Sequence, residues 1–181
     1  MSQYATVKDL IYRTDGDEIV QRGLSNLRAT YRQEVSSAAL LDSVSDPRVD
    51  DIAMAEDDGF LYRFDGESWA AVPTPKIDRA LLDASDIADD YLRGRYTLPL
   101  AGLPRALVLN VSDIARYFLY DDAVTEIVEK RYQGAVQWLG KVASGAITLD
   151  STEASPPETS TGSANISGPG RIFSRDSMRD L

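Results

Sequence analysis

Tyr91-Leu92-Arg93-Gly94-Arg95-Tyr96-Thr97-Leu98-Pro99-Leu100 is the stretch around which the chain is organised, because a strongly patterned segment runs into it and another begins just beyond. Gly94 can enter the left-handed conformation without steric cost, so it is expected to stop the incoming helix. Pro99 disfavours the α region at Leu98 and delays any restart. Between these two, Tyr96, Leu98 and Leu100 alternate toward one side, with Arg95 and Thr97 on the other. Gly94, Arg95, Tyr96, Leu98 and Pro99 therefore form an elbow expected to fasten three helices together.

Upstream of the elbow, Thr74 reads as a cap and Pro75 as the first helical residue. Ile77, Ala80, Leu81, Ala84, Ala88, Tyr91 and Leu92 then recur at steps of three or four. Asp78, Asp83, Asp86, Asp89 and Asp90 occupy much of the rest of the circumference, so the helix has one apolar stripe and one acidic face. Downstream, Pro104 opens a helix carrying Leu107, Val108, Val111, Ile114, Ala115, Phe118 and Leu119 at the same spacing. Asp121-Asp122 breaks it. The last helix runs from Ala123 to about Ser144, with Val124, Ile127, Val128, Ala135, Trp138, Leu139 and Val142 on its stripe, and Ser144-Gly145 stops it. Short connections make these segments a compact three-helix unit.

Toward the N-terminus, Thr6 and Asp9 form a capping-box pattern leading into Leu10 and Ile11. Asp15-Gly16-Asp17 interrupts that helix, and a second short one covers Glu18 to Gly23. From Ser25 to Asp42 the residues Leu27, Tyr31, Val35, Ala38 and Ala39 again follow helical spacing. The period then changes. Val49 to Ala55, Phe60 to Phe64 and Trp69 to Val72 read as a three-stranded meander, turned at Asp57-Asp58-Gly59 and at Asp65-Gly66. Phe60, Tyr62 and Phe64 should share one face of the middle strand, where Trp69 covers part of it. Such a small sheet must lean on the adjoining helix or on another subunit.

After Leu149 the composition shifts. Ser151 to Gly170 is mostly Ser, Thr, Pro, Gly and Glu, with Ile166 the one large apolar residue, which predicts an extended arm rather than a folded unit. The chain beyond Leu149 could reach on the order of 100 Å when extended. Apolar anchors then return among arginines: Arg171, Ile172, Phe173, Ser174, Arg175, Met178 and Leu181 are the expected partner-binding residues of a tethered docking segment. The expected division is 1–24 for the N-terminal helices, 25–75 for an insertion with helix and meander, 76–149 for the three-helix core and 150–181 for the arm. The fold class is mainly α, a compact helical core with a small inserted three-stranded β-meander and an extended C-terminal arm.

Absences narrow the chemistry. The 181 residues contain no Cys and no His, which removes thiolate nucleophiles, thiolate zinc sites, the commonest general base and the commonest metal imidazole together. The apolar fraction of 43% and charged fraction of 27% are those of a globular protein, and no apolar run is long enough to span a membrane. With 29 acidic against 19 basic residues, the net charge of -10 opposes avid binding to nucleic acid and is compatible with an acidic surface that faces DNA without holding it. The pairs Asp50/Asp51, Asp57/Asp58, Asp89/Asp90 and Asp121/Asp122 are the candidates for metal or acid-base work. Each also serves as a turn former, cap or solvated face, and neighbours on a helix point about 100° apart. No catalytic residue, metal ligand or cofactor is therefore assigned.

Tyr4-Ala5-Thr6 with Leu10-Ile11, the elbow from Tyr91 to Leu100, Asp113-Ile114-Ala115-Arg116-Tyr117, Arg131-Tyr132 with Trp138-Leu139, and Arg171-Ile172-Phe173-Ser174-Arg175-Asp176-Ser177 occur in that order. Together they resemble the small head-to-tail connector family of Mu-like tailed phages and prophages. The resemblance covers residues 3–24 and 76–181, while Ser25 to Val72 departs from the pattern. It implies a non-enzymatic virion protein at the head-tail junction, assembled in the host cytoplasm. It also implies a ring of twelve subunits following the portal protein's symmetry, bound to portal and to tail or neck proteins, with DNA in transient passage through its channel and no membrane partner. A tail-completion or tail-terminator subunit is the alternative within that class. A carboxylate-dependent phage hydrolase or nuclease is the alternative outside it.

Overall fold

A computed structural model describes residues 3–24, 28–120 and 124–149. Five α-helices and four strands follow in the order α1 (Val7–Arg13), α2 (Gly16–Gly23), β1 (Thr30–Val35), β2 (Asp51–Ala55), β3 (Leu61–Phe64), β4 (Trp69–Ala71), α3 (Pro75–Leu92), α4 (Arg105–Phe118) and α5 (Glu126–Ser144). About half of the described residues are helical. None of the described helices is long and apolar enough to cross a membrane.

The three long helices form where the three-and-four spacing places them, and α3, α4 and α5 all pack on one another. Leu81, Leu92, Leu107, Val111, Ile114, Leu119 and Leu139 are buried where they meet. Each such side chain contributes roughly 1.5–3 kcal/mol on leaving water, which is how the apolar stripe becomes a core. The capping box at Thr6 and Asp9 is present, and Asp15 caps α2 by accepting from the Asp17 amide. Gly145 ends α5 with φ +82. At the start of α3, Pro75 occupies the first turn as expected, but the Thr74 side chain caps no backbone amide and donates instead to Asp78 at 3.1 Å. Ile127, expected on the buried stripe of α5, is 65% exposed; Val128 beside it is buried.

Among the described residues of 28–42 there is no α-helix. Thr30–Val35 is a strand, and Ala38–Ser43 is a short 3-10 helix capped by Ser37. The sheet consequently has four strands, not three, in the order β1-β2-β3-β4, with β1 parallel to β2 and the others antiparallel. A register shift between Tyr31 and Gln33 explains why helical spacing misled. Tyr31 and Val35 would share a strand face in a regular strand, but one extra residue flips everything beyond it. Tyr31 accordingly packs with the helices, while Val35 joins Leu41, Val44, Ala53 and Ala55 on the outer face.

The two hairpin turns form at Gly59 (φ +74) and Gly66 (φ +111), where positive φ is required. Tyr62 and Trp69 pack together on the outer face, and the Phe64 and Trp69 rings lie 5.3 Å apart. Phe60 precedes β3 and is 58% exposed, so it does not share that face as expected. The inner face carries Ile52, Met54 and Leu61, all fully buried and part of the same core as the helices. The sheet therefore leans on the helices of its own chain.

Candidate functional site

The elbow is where the chain does something beyond forming a core. Arg93 caps α3 in the right-handed region, and both the Arg95 and Tyr96 amides donate to the Leu92 carbonyl. Gly94 is not among the positive-φ residues, so the left-handed stop expected there is not used. A tight right-handed turn ends α3 instead, and burial of Tyr96 then draws the chain away from the helix axis. The alternation beyond it is as expected: Tyr96 is buried, Leu98 and Leu100 pack on the core, and Thr97 and Pro99 face solvent. The Leu98–Pro99 peptide bond is cis.

Tyr96 turns outward contact into a clamp. Its hydroxyl accepts a hydrogen bond from the Leu149 amide at 3.0 Å, and Leu149 is itself buried. Arg95 lies against Gly145, where a Cβ would run into its guanidinium. Its buried Nε has no hydrogen-bond partner among the described residues. The described chain beyond α5 is thus held back against the elbow through Gly145, Ile147 and Leu149, and the expected arm 150–181 lies outside the described residues. The spacing of Arg95 and Tyr96 predicted opposite sides for them; nothing local in the sequence shows that both grip the end of α5.

Two charged seams hold α1 and α2 against α4. Arg13 donates to both oxygens of Asp113, at 3.2 and 2.8 Å, and Arg131 approaches the same carboxylate at 3.9 Å. Arg116 likewise donates to both oxygens of Glu18, at 2.8 and 2.5 Å, joined by the Tyr120 hydroxyl at 2.8 Å. Arg22 stacks over the Tyr120 ring at 3.4 Å. Partial burial alone would raise the Glu18 pKa, but the hydrogen bonds from Arg116 and Tyr120, with the charges of Arg116 and Arg22, together hold it below the ordinary range.

The candidate carboxylate pairs are spent on structure. Asp51 is buried on the Arg48 amide and the Arg32 guanidinium, Asp50 pairs with Arg63, and Asp57 and Asp58 organise turns and accept from Ser37 and Tyr62. Asp89 accepts from the Tyr4 hydroxyl, and Asp90 pairs with Arg93. No group of three or more such side chains that could hold a metal ion occurs among the described residues. Asp121/Asp122 and the docking segment Arg171, Ile172, Phe173, Ser174, Arg175, Met178 and Leu181 lie outside the described residues.

One surface was not foreseen. A cleft of about 280 Å³ opens between α1 and the start of α4, lined by Asp9, Tyr12, Arg13, Leu103, Arg105, Val108 and Leu109. Tyr12 is 50% and Leu103 52% exposed. The Tyr12 hydroxyl donates to Glu56, which with partial desolvation pushes the phenol up to about 12. Arg13 is committed to Asp113, whereas Arg105 makes no ion pair among the described residues. Residues about ninety apart in sequence build this cleft, so no local spacing signals it.

Fold and site together define a body about half helical, with a four-stranded mixed sheet packed on its helices and Leu149 clamped to the elbow. The chain matches the family described as Bacteriophage Mu, Gp36 over residues 4–167, and it belongs to that family. The match takes in the region 25–75 and ends before Arg171. Among curated relatives, the Mu-like prophage FluMu protein gp36 of Haemophilus influenzae is 36% identical over 104 residues, covering 58% of this chain and 74% of that protein. Gene product J of Escherichia phage Mu is 34% identical over 83 residues, covering 45% of this chain and 59% of that protein. This is a Mu-like phage protein.

Proposed function

We propose that the protein is a structural component of the phage particle, a head-to-tail adaptor that acts without catalysis. In this reading its helical bodies assemble into a ring beneath the portal, following the portal's twelvefold symmetry, and DNA passes through the channel. The arm engages portal, a neighbouring subunit or tail and neck proteins, and assembly takes place in the host cytoplasm. The observation that carries the proposal is the clamp at the elbow. Tyr96 and Arg95 hold Leu149 and Gly145 against the core, immediately before residues 150–181 in the sequence. A fixed body with a tethered apolar-basic segment is the arrangement a bridging protein needs, because tethering raises the local concentration of the segment at its receptor. The strongly acidic composition supports passage of DNA without retention.

The test is a truncation after Leu149 in the phage or prophage. The shortened protein should accumulate in folded form, and heads should package DNA yet fail to join tails. Mature particles in normal yield would refute the arm's role. Projection images of the purified protein with and without portal test the ring: the proposal requires a closed assembly with a central hole.

A further inference from the structure

The cleft between α1 and α4 is amphipathic, with one wall apolar and one cation uncommitted. Leu103, Val108, Leu109 and the Tyr12 ring supply the apolar side, and Arg105 stands at the rim without an ion pair among the described residues. We propose that this cleft is the receptor for the chain's own segment Arg171–Asp176, with Ile172 and Phe173 against the apolar wall and the Asp176 carboxylate at Arg105. This rests on the reading of that segment as a docking peptide.

Three observations favour the chain's own segment as occupant. The first is chemistry: Ile172-Phe173, flanked by Arg171 and by Arg175-Asp176, offers two adjacent apolar side chains with both signs of charge beside them, which complements an apolar wall lined by Arg105 and Asp9. The second is position. Leu149 is anchored on the Tyr96 hydroxyl, and Leu103 lies seven residues beyond Tyr96, so root and cleft are at most about 35 Å apart once the tyrosine side chain is included. The third is length. The 22 residues between Leu149 and Ile172 are rich in Ser, Thr, Pro and Gly, and a linker of that kind has a root-mean-square span of about 26 Å. A tether long enough to bridge the separation keeps the effective concentration of its tip at the cleft high. Docking within one chain is thereby favoured over docking between chains in dilute solution. It gives the apolar tip a covered state in which it is not free to bind partners indiscriminately.

The absence of cysteine makes the test clean. In the full-length protein, Leu103→Cys combined with Phe173→Cys is exposed to mild oxidant, alongside Ile127→Cys combined with Phe173→Cys as a control. Ile127 is exposed as well, at 65% against 52% for Leu103, but belongs to the first turn of α5, which follows the far end of α4, a helix about 20 Å long. The first pair should close within one chain, at a rate independent of protein concentration and about tenfold or more above the control. Arg105→Glu added to the first pair should slow closure severalfold. Equal rates for the two pairs, crosslinks formed mainly between chains, or indifference to Arg105→Glu would each overturn the proposal. A second measurement uses no thiols: Phe173→Ala in the full chain should raise hydrogen exchange in peptides covering 103–109, and unchanged exchange would also overturn it. Because both experiments use the isolated chain, their failure is distinguishable from failure of the adaptor reading, which is scored on heads, tails and portal.

Discussion

Replacing Tyr96 by Phe removes one oxygen and leaves the ring in place, so it isolates the clamp between elbow and arm root. In the native protein the Leu149 amide donates to that hydroxyl at 3.0 Å, and both residues are 6% exposed. Without the acceptor, the amide is left buried and unpaired, which costs about 1–3 kcal/mol, more than the 0.5–1.5 kcal/mol net value of an ordinary hydrogen bond. The loss falls on the segment Gly145–Leu149, which is joined to the rest by few other contacts: Ile147 and Leu149 pack on the core, and Gly145 meets Arg95. Local opening there should become easier by most of that amount, so exchange of the Leu149 amide should accelerate by a factor of about 5–150. Amides in the middle of α4 should change much less. Exchange followed by NMR at single-residue resolution reads both. An unchanged Leu149 rate in Tyr96→Phe would falsify the clamp, and an equal acceleration throughout α4 would show that the hydroxyl supports the whole fold rather than the departure point.

Other perturbations test neighbouring parts of the structure. Gly145→Ala places a side chain at φ +82 and against the Arg95 guanidinium, and it should destabilise by about 1 kcal/mol or more, lowering Tm by a few degrees in a scanning calorimeter. Asp113→Ala removes the carboxylate, itself 5% exposed, from between Arg13 and Arg131, which stay partly solvated, and a loss of roughly 1.5–3 kcal/mol is expected in urea unfolding. Glu18 has a folded pKa below its unfolded value, so its contribution is present above about pH 4.5 and is lost as pH falls through the depressed folded pKa. Urea midpoints of wild type and Glu18→Gln should accordingly differ near neutrality and converge in acid; a constant gap down to the acid limit counts against the seam. Leu81→Ala, at a fully buried position where α3 meets the core, should cost about 2–5 kcal/mol in the same assay.

What was legible depended on whether its cause was local. The stripes of α3, α4 and α5 repeat over several turns, and a stripe that long has few alternatives to a buried helix face. The capping box at Thr6, the stop at Gly145 and the turns at Gly59 and Gly66 were legible for a related reason: each is decided by the conformation of one or two residues. Gly94 shows the limit of that argument. Glycine permits the left-handed region without demanding it, and the chain there turns right-handed, following the packing of Tyr96. Ile127 shows another limit, since a residue can fit an apolar period and still lie exposed at a helix end.

The amino-acid sequence by itself determined the helical core, the acidic balance, the change of composition after Leu149 and the lack of thiol and imidazole chemistry, because all of these follow from side chains read in short windows. Only the tertiary structure decided that Thr30–Val35 is a strand, since its partner is β2, some twenty residues on, and a one-residue register shift hides its alternation. The same holds for the grip of Tyr96 on Leu149 and for the cleft between α1 and α4. Each joins residues fifty or more positions apart, and contacts at that separation are set by how the helices cross rather than by any spacing within them.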